Sequence, residues 1–315
     1  MHHNATTVMH FLSIFQNSFL PAHSCQNGCV TEINRREFLK KLGMGATGIA
    51  LGGVALSLNA CAKDDKKDSS AKSIDTIRVS SDLYKSELPQ RLAFALFMGT
   101  ELQHSETLKV KLTKPDGSVS VIDNVRPRVE GLKNQGLYSL EYEFINAGNY
   151  EISTTYKGSK TSLAFAVAET NVVPGLETQC LSTISPTNAD PKDAKILCTR
   201  FEGECGLHEY TVSDLLAKKE PLIVMFATPA RCQTSYCGPV LDLLKNEIKT
   251  NPINAVHIEI YKDETSPKTL DAVNEWTLPS EPWLFAVNKD GKIVKRLDGA
   301  FDLSEIKEAI AAARV

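Results

Sequence analysis

The chain has 315 residues, room for about two domains of roughly 150 residues each. An apolar share of 42% and a charged share of 23% exclude a wholly disordered or collagen-like chain. The formal charge of −3 gives no global attraction to nucleic acid, and a single long apolar stretch, 42–60, excludes a polytopic membrane protein. Eight cysteines are too few for a disulfide-knot scaffold, but enough for a few bridges and a redox or metal site.

In chain order, residues 1–29 come first, with Cys25, Cys29 and four histidines. Export signals begin a few residues before their basic run, so a start at Val30 is expected. Residues 1–29 then read as a gene-start artefact, and their cysteines carry no role. Residues 30–61 hold the basic run Asn34-Arg35-Arg36-Glu37-Phe38-Leu39-Lys40-Lys41, followed by an uncharged run with five glycines. Arg35 and Arg36 ahead of that glycine-diluted run resemble a twin-arginine signal. Leu58-Asn59-Ala60-Cys61 resembles a lipobox, which implies cleavage before Cys61 and lipidation of its thiol. An uncleaved single-span anchor is the alternative. In both cases the body is expected outside the cytoplasm, on the outer face of a bacterial membrane in the periplasm or at the cell surface. Residues 62–73 lack apolar periodicity and read as a flexible tether.

Residues 74–170 carry short alternating runs at 74–80, 91–98, 107–113, 118–122, 137–144, 148–156 and 162–168, which read as strands. Pro115-Asp116-Gly117 and Asn146-Ala147-Gly148-Asn149 supply turn chemistry between them. Seven strands in this span predict an immunoglobulin-like β-sandwich without an inter-sheet disulfide, since it has no cysteine. Its expected role is spacing or partner contact.

Residues 172–208 read as an irregular connector. Residues 209–315 then change pattern. A short helix is expected over 211–218, with Thr211 as N-cap and Asp214 three residues on. The continuous apolar run 221–227 predicts a buried strand. A helix over 236–249, a strand over 254–261 and a helix over 267–276 follow. Strands 283–288 and 292–297 flank the turn Lys289-Asp290-Gly291, and a helix over 304–313, with Ser304 as N-cap, ends the chain. The order β-α-β-α-β-β-α predicts a mixed α/β sheet flanked by helices.

Three motifs in this region resemble the thioredoxin-like superfamily. They are the strand running into Thr228-Pro229-Ala230-Arg231-Cys232, Cys237-Gly238-Pro239 opening a helix, and Ser280-Glu281-Pro282-Trp283 before the hairpin. Pro282 matches the cis-proline that faces the active cysteines in that superfamily, and Gly299 also fits. The residue after Gly238-Pro239 is Val240, where thioredoxin carries its second cysteine. The C-x4-C-G-P form resembles a subgroup of exported bacterial proteins, as do Cys198-Thr199-Arg200 and Cys205-Gly206-Leu207-His208-Glu209.

Four readings of Cys232 and Cys237 stay open. The first is a thiol–disulfide oxidoreductase exchanging with protein thiols or disulfides. Cys237, at a helix N-terminus that favours a thiolate, attacks, Cys232 resolves, and Pro282 shapes the substrate groove. The second is a structural disulfide in a binding or assembly module. The third is a Sco-like copper site in which Cys232, Cys237 and His257 supply a soft ligand set. The fourth makes Cys237 peroxidatic, since Thr234-Ser235-Tyr236-Cys237 resembles a peroxiredoxin motif. The leading reading needs no cofactor, and no nucleic-acid partner is expected. Cys198 and Cys205 are expected to form a disulfide that pins the connector, with Cys205-x-x-His208 as half of a metal site the alternative. Cys180 receives no function. Arg231 either favours a nearby thiolate or is exposed, Asp263 and Glu264 read as a solvated loop, and Trp276 and Trp283 either rim the site or pack in the core.

Overall fold

The computed structural model describes residues 73–232 and 235–315. The gene-start segment, the Arg35–Arg36 signal, the Cys61 lipobox and all of the tether but Ser73 lie outside the described residues. Among the described residues no helix is long and apolar enough to cross a membrane.

The described chain is mostly β-sheet with few helices. Its first half supplies β1 (Ile74–Arg78), β2 (Gln90–Met98), β3 (Glu101–Gln103), β4 (Leu108–Thr113), β5 (Val119–Val125), β6 (Pro127–Arg128), β7 (Leu137–Tyr142), β8 (Gly148–Tyr156) and β9 (Ser159–Val167). These make two antiparallel sheets. One has the order β1-β2-β7-β6 with β3 also on β2, and the other the order β5-β4-β8-β9. The alternation of β4 sends Leu108, Val110 and Leu112 inward, where they meet Phe94, Tyr138, Tyr150 and Phe165 in a core between the sheets. This is a β-sandwich. The last strand begins three residues earlier than its expected start at 162. Lys157 and Gly158, both with positive φ, form a two-residue turn that pairs Tyr156 directly with Ser159.

The second half supplies α1 (Val212–Ala217), β10 (Leu222–Phe226), α2 (Cys237–Thr250), β11 (Asn254–Ile258), α3 (Asp271–Glu275), β12 (Trp283–Val287), β13 (Ile293–Asp298) and α4 (Leu303–Ala313). The four strands form one sheet in the order β11-β10-β12-β13. β10 runs parallel to β11 and antiparallel to β12, and β12 is antiparallel to β13. Thr211 and Asp214 cap α1 reciprocally, as expected. The cap of α4 is Asp302 rather than Ser304, because Asp302 and Glu305 satisfy each other's backbone N–H groups, while the Ser304 hydroxyl donates to Asp302 and accepts from Arg128. The expected helix 267–276 shrinks to α3. Residues 268–270 instead bond back to Ile260 and Lys262, and Tyr261 bridges Thr269. No helix or strand forms in the connector, but it lies along the β12–β13 hairpin. There Glu177 N and Cys180 N donate to the carbonyls of Ile293 and Gly291, both at 2.8 Å.

Strand β2 joins the halves. It is a nearly continuous apolar run, buried on both faces. Leu92, Phe94 and Leu96 enter the sandwich core. Ala93, Ala95 and Phe97 enter a second core with Ile223, Met225, Leu244, Ile306 and Ile310 of the later sheet and helices. Arg91 crosses this junction. Its Nε donates to Glu305 Oε1 at 2.7 Å, its Nη2 to Glu305 Oε2 at 3.1 Å, and its Nη1 to the Asp298 carbonyl at 2.9 Å. Burial alone would raise the Glu305 carboxyl, but the Arg91 guanidinium outweighs it and holds that carboxyl below its usual range. A third core covers the other face of the later sheet, with Phe226, Trp276, Trp283 and Phe285 stacked or tilted against one another.

Candidate redox site and the neighbouring cysteine–histidine cluster

The buried strand β10 ends at Phe226, and the chain runs on through buried Ala227 and Thr228 to a partly exposed loop ending at Cys232. Cys237 is the first residue of α2. A disulfide joins Cys232 and Cys237, with Cα atoms 5.8 Å apart, inside the range such a bond needs. The two sulfurs differ in environment. Cys237 is fully buried, while Cys232 is only partly so. The backbone N–H of Cys237 donates to Cys232 Sγ at 3.2 Å, so the N-terminus of α2 serves the loop sulfur. The sandwich also reaches this loop, since Tyr236 donates its hydroxyl to the Gln135 carbonyl at 2.9 Å.

Beneath the disulfide stands a carboxylate to which the sequence assigns no role. Glu281 Oε2 lies 3.4 Å from Cys237 Sγ and accepts from Thr228 N at 2.7 Å. Burial pushes its carboxyl up to about 7. Its sequence signal is position: it directly precedes Pro282, which is buried and follows a cis peptide bond. The other expected neighbours are engaged elsewhere. Arg231 donates to the carbonyls of Asp263 and Ser266 and lies over the Tyr261 ring, so its charge is spent on a loop. Asp263 organises that loop by accepting from Thr265 N and Ser266 N. Trp276 and Trp283 are core residues. Cys180 is a buried free thiol, pushed up to about 12 by burial, and is inert as a nucleophile at neutral pH.

The expected Cys198–Cys205 disulfide does not form; both thiols are free. They meet two imidazoles instead. The donor atoms of Cys198, Cys205, His208 and His257 all lie within 4.8 Å of one another. The copper ligand set drawn from Cys232, Cys237 and His257 is not assembled, because His257 turns one nitrogen to this second cluster and the other to the Ala227 carbonyl. Hydrogen bonds from Cys205, then from His208 and His257, hold the Cys198 thiol far below the usual thiol range against the cost of burial. Burial lowers His208.

A hydrogen-bonded wall separates the two sulfur sites. Thr199, beside Cys198, donates N–H and hydroxyl to Glu259 at 2.6 and 3.0 Å, and its Oγ1 accepts from Ala230 N at 3.1 Å. Thr228 bonds Ile260 N through its hydroxyl and Glu281 through its N–H. A cleft of about 330 Å³ at the junction of the two halves is lined by Asp82, Arg91, Trp283, Arg296 and Asp298, among others, and by none of the cysteines.

No protein-family profile matches the chain, and no curated protein matches it. Among solved structures, the Ig-like domain of human leucine-rich repeat-containing protein 4 is similar over 30% of this chain and 85% of that one, at 17% identity and a TM-score of 0.18. A TM-score this low carries no fold assignment.

Proposed function

We propose that the protein is a membrane-anchored, extracytoplasmic thiol–disulfide oxidoreductase that exchanges disulfides with protein partners through Cys232 and Cys237. One observation carries this reading: a partly exposed sulfur under a helix N-terminal amide is paired with a buried sulfur against a half-buried carboxyl group. The strand order β11-β10-β12-β13 and the buried cis-proline beside the pair support a thioredoxin-like origin for the second half. The two-sheet arrangement of the first half supports the immunoglobulin-like reading of the sandwich. The Arg35–Arg36 signal and Cys61 support a compartment where disulfides persist.

The unequal burial of the two sulfurs supports the reverse of the roles expected from sequence. In the reduced protein, Cys232 is the thiolate a partner can reach, and the Cys237 N–H stabilises it. It attacks a partner disulfide, forms a mixed disulfide and releases one partner thiolate, which takes a proton from water. Cys237 then gives its proton to Glu281 and attacks Cys232 Sγ. The internal disulfide forms, and the second partner thiolate leaves. The partner is reduced by two electrons and this protein is oxidised by two. The reverse sequence oxidises a partner dithiol. Pro282, next to the Glu281 that touches Cys237, would shape the groove in which a partner segment docks.

A redox titration of the Cys232–Cys237 pair tests the reading. A potential between about −120 and −270 mV supports exchange, and one below about −300 mV makes the bond structural and ends the proposal.

The Glu281 role has its own signature. A carboxylate accepts a proton only when ionised, so with its carboxyl near 7 the resolving step should quicken as pH rises from about 6 to 8. Glu281→Gln should flatten that rise and slow resolution by roughly 100-fold near neutrality. The gap should close at alkaline pH, where Cys237 ionises unaided. Stopped-flow measurement of mixed-disulfide decay reads this directly. A profile identical to the parent's would remove Glu281 from the mechanism.

A further inference from the structure

We infer that Cys198, Cys205, His208 and His257 form a four-coordinate zinc site that fastens the irregular connector to the later sheet. The spacing among Cys205, His208 and His257 is that of one face of a tetrahedron. Cys205 Sγ is 3.2 Å from His208 Nε2 and 3.4 Å from His257 Nδ1, and the two nitrogens are 3.3 Å apart. With zinc–sulfur bonds of about 2.3 Å and zinc–nitrogen bonds of about 2.0–2.1 Å, the sulfur–nitrogen edges would be about 3.5 Å and the nitrogen–nitrogen edge about 3.3 Å. Cys198 Sγ closes the set, within 4.8 Å of the other three donors.

The imidazole of His257 is oriented for a metal. Its Nε2 faces the Ala227 carbonyl at 2.9 Å, and a carbonyl only accepts, so Nε2 carries the ring proton. In the neutral ring Nδ1 then presents a lone pair to the cluster. A carbonyl on the outer nitrogen is the usual way a metal-binding imidazole is fixed. His257 N also donates to the Leu207 carbonyl, which holds the two histidine-bearing stretches of chain together, and Asn188 N donates to the His208 carbonyl from within the connector. Gly206 adopts a φ of +78°, open to glycine, and makes the tight Cys205-Gly206-Leu207-His208 turn that brings Cys205 and His208 together.

The chemistry selects zinc. Two thiolates cancel a charge of +2 and two neutral imidazoles add none, so a buried site of this composition has no net charge to desolvate. Two sulfurs and two nitrogens in a closed tetrahedron suit Zn2+ and leave no open position for a reaction. The site also supplies what the connector lacks. Cys198, Cys205 and His208 lie at its end, where no helix or strand forms, and His257 lies on β11. This inference stands apart from the exchange reaction at Cys232 and Cys237.

Purified full-length protein is titrated with zinc in competition with a chromophoric chelator, and separately with cobalt(II). One zinc per chain is expected, and cobalt should give the strong visible bands and the thiolate charge-transfer absorption of a tetrahedral sulfur–nitrogen site. Cys205→Ser and His257→Gln should each weaken zinc by more than about 100-fold, since even partners beyond the ligands cost about 10–100-fold. The double variant Cys232→Ser/Cys237→Ser should keep full zinc affinity. Should the ligand variants fail to fold, the parent protein still decides. Zinc should shield Cys198 and Cys205 from alkylation, and a chelator should expose both. An octahedral cobalt spectrum, zinc lost in the Cys232→Ser/Cys237→Ser protein, copper(I) bound to the exclusion of zinc, or a Cys198–Cys205 disulfide in the native protein would each overturn the assignment.

Discussion

Chains carrying Cys237→Ser should accumulate mixed disulfides with partner proteins through Cys232, and chains carrying Cys232→Ser should accumulate few. The expectation follows from accessibility and from one hydrogen bond. Cys237 is fully buried, so a partner sulfur reaches it only after Cys232 has been displaced. The amide at the start of α2 points at Cys232 Sγ and favours its thiolate. Without Cys237 the intermediate forms but has no internal thiol to release it. An intramolecular thiol acts at a high effective concentration, so its removal should slow release by about 100-fold or more. Non-reducing gels of alkylated, acid-quenched cell extracts, followed by identification of the linked cysteines, read the result. Trapping by Cys232→Ser alone would restore the opposite assignment, with Cys237 as the attacking sulfur. Equal trapping by both would deny the two cysteines distinct roles.

Arg91→Met should destabilise the whole chain by about 3–5 kcal/mol. A protein of ordinary stability has only about 5–15 kcal/mol to lose. The guanidinium and the Glu305 carboxylate are both buried, and they meet through two hydrogen bonds at 2.7 and 3.1 Å. Removing the cation leaves Glu305 with its Ser139 and Asp302 contacts and the more distant Arg128 guanidinium at 3.9 Å, and leaves the buried Asp298 carbonyl short of a donor. Replacing both charges, as Arg91→Met with Glu305→Gln, should recover part of the loss, because Gln carries no charge to leave unpaired and still serves the α4 cap, while the Asp298 carboxylate, 3.6 Å from Arg91, keeps its Ser81 donors. Urea denaturation measures both variants. An Arg91→Met unfolding free energy within about 1 kcal/mol of the parent's would show that the junction does not depend on this pair.

Most elements were legible because their signals are local. Continuous or alternating apolar runs placed the strands, and Thr211 with Asp214 placed the start of α1. The missed features depend on distant residues. Asp302 competes with Ser304 for the α4 cap, and only the reach of Glu305 back to it decides. The helix expected over 267–276 lost its first turn to pairing with residues after β11. Cys198 and Cys205 looked like a bridge because spacing alone ranks a disulfide first, whereas His208 and His257 reach them only once β11 is laid beside β10. Glu281 was visible as a residue and invisible as a proton acceptor, since its neighbour Cys237 is 44 positions away. The relative access of the two sulfurs is likewise a property of packing. A helix N-terminus in the sequence does not reveal which sulfur its N–H will face.

The double burial of β2 has a consequence for how this protein can be divided. A boundary near 170 separates the strands of the sandwich from the later sheet, but Ala93, Ala95 and Phe97 share one core with Ile306 and Ile310 of α4 and residues of the later sheet. A gene fragment starting after that boundary would present this apolar surface to water, together with a Glu305 stripped of Arg91. The modules visible in the sequence are therefore not independently heritable parts. Recombination could exchange loops or the sandwich's outer sheet, but a cut between the halves would lay open the core they share.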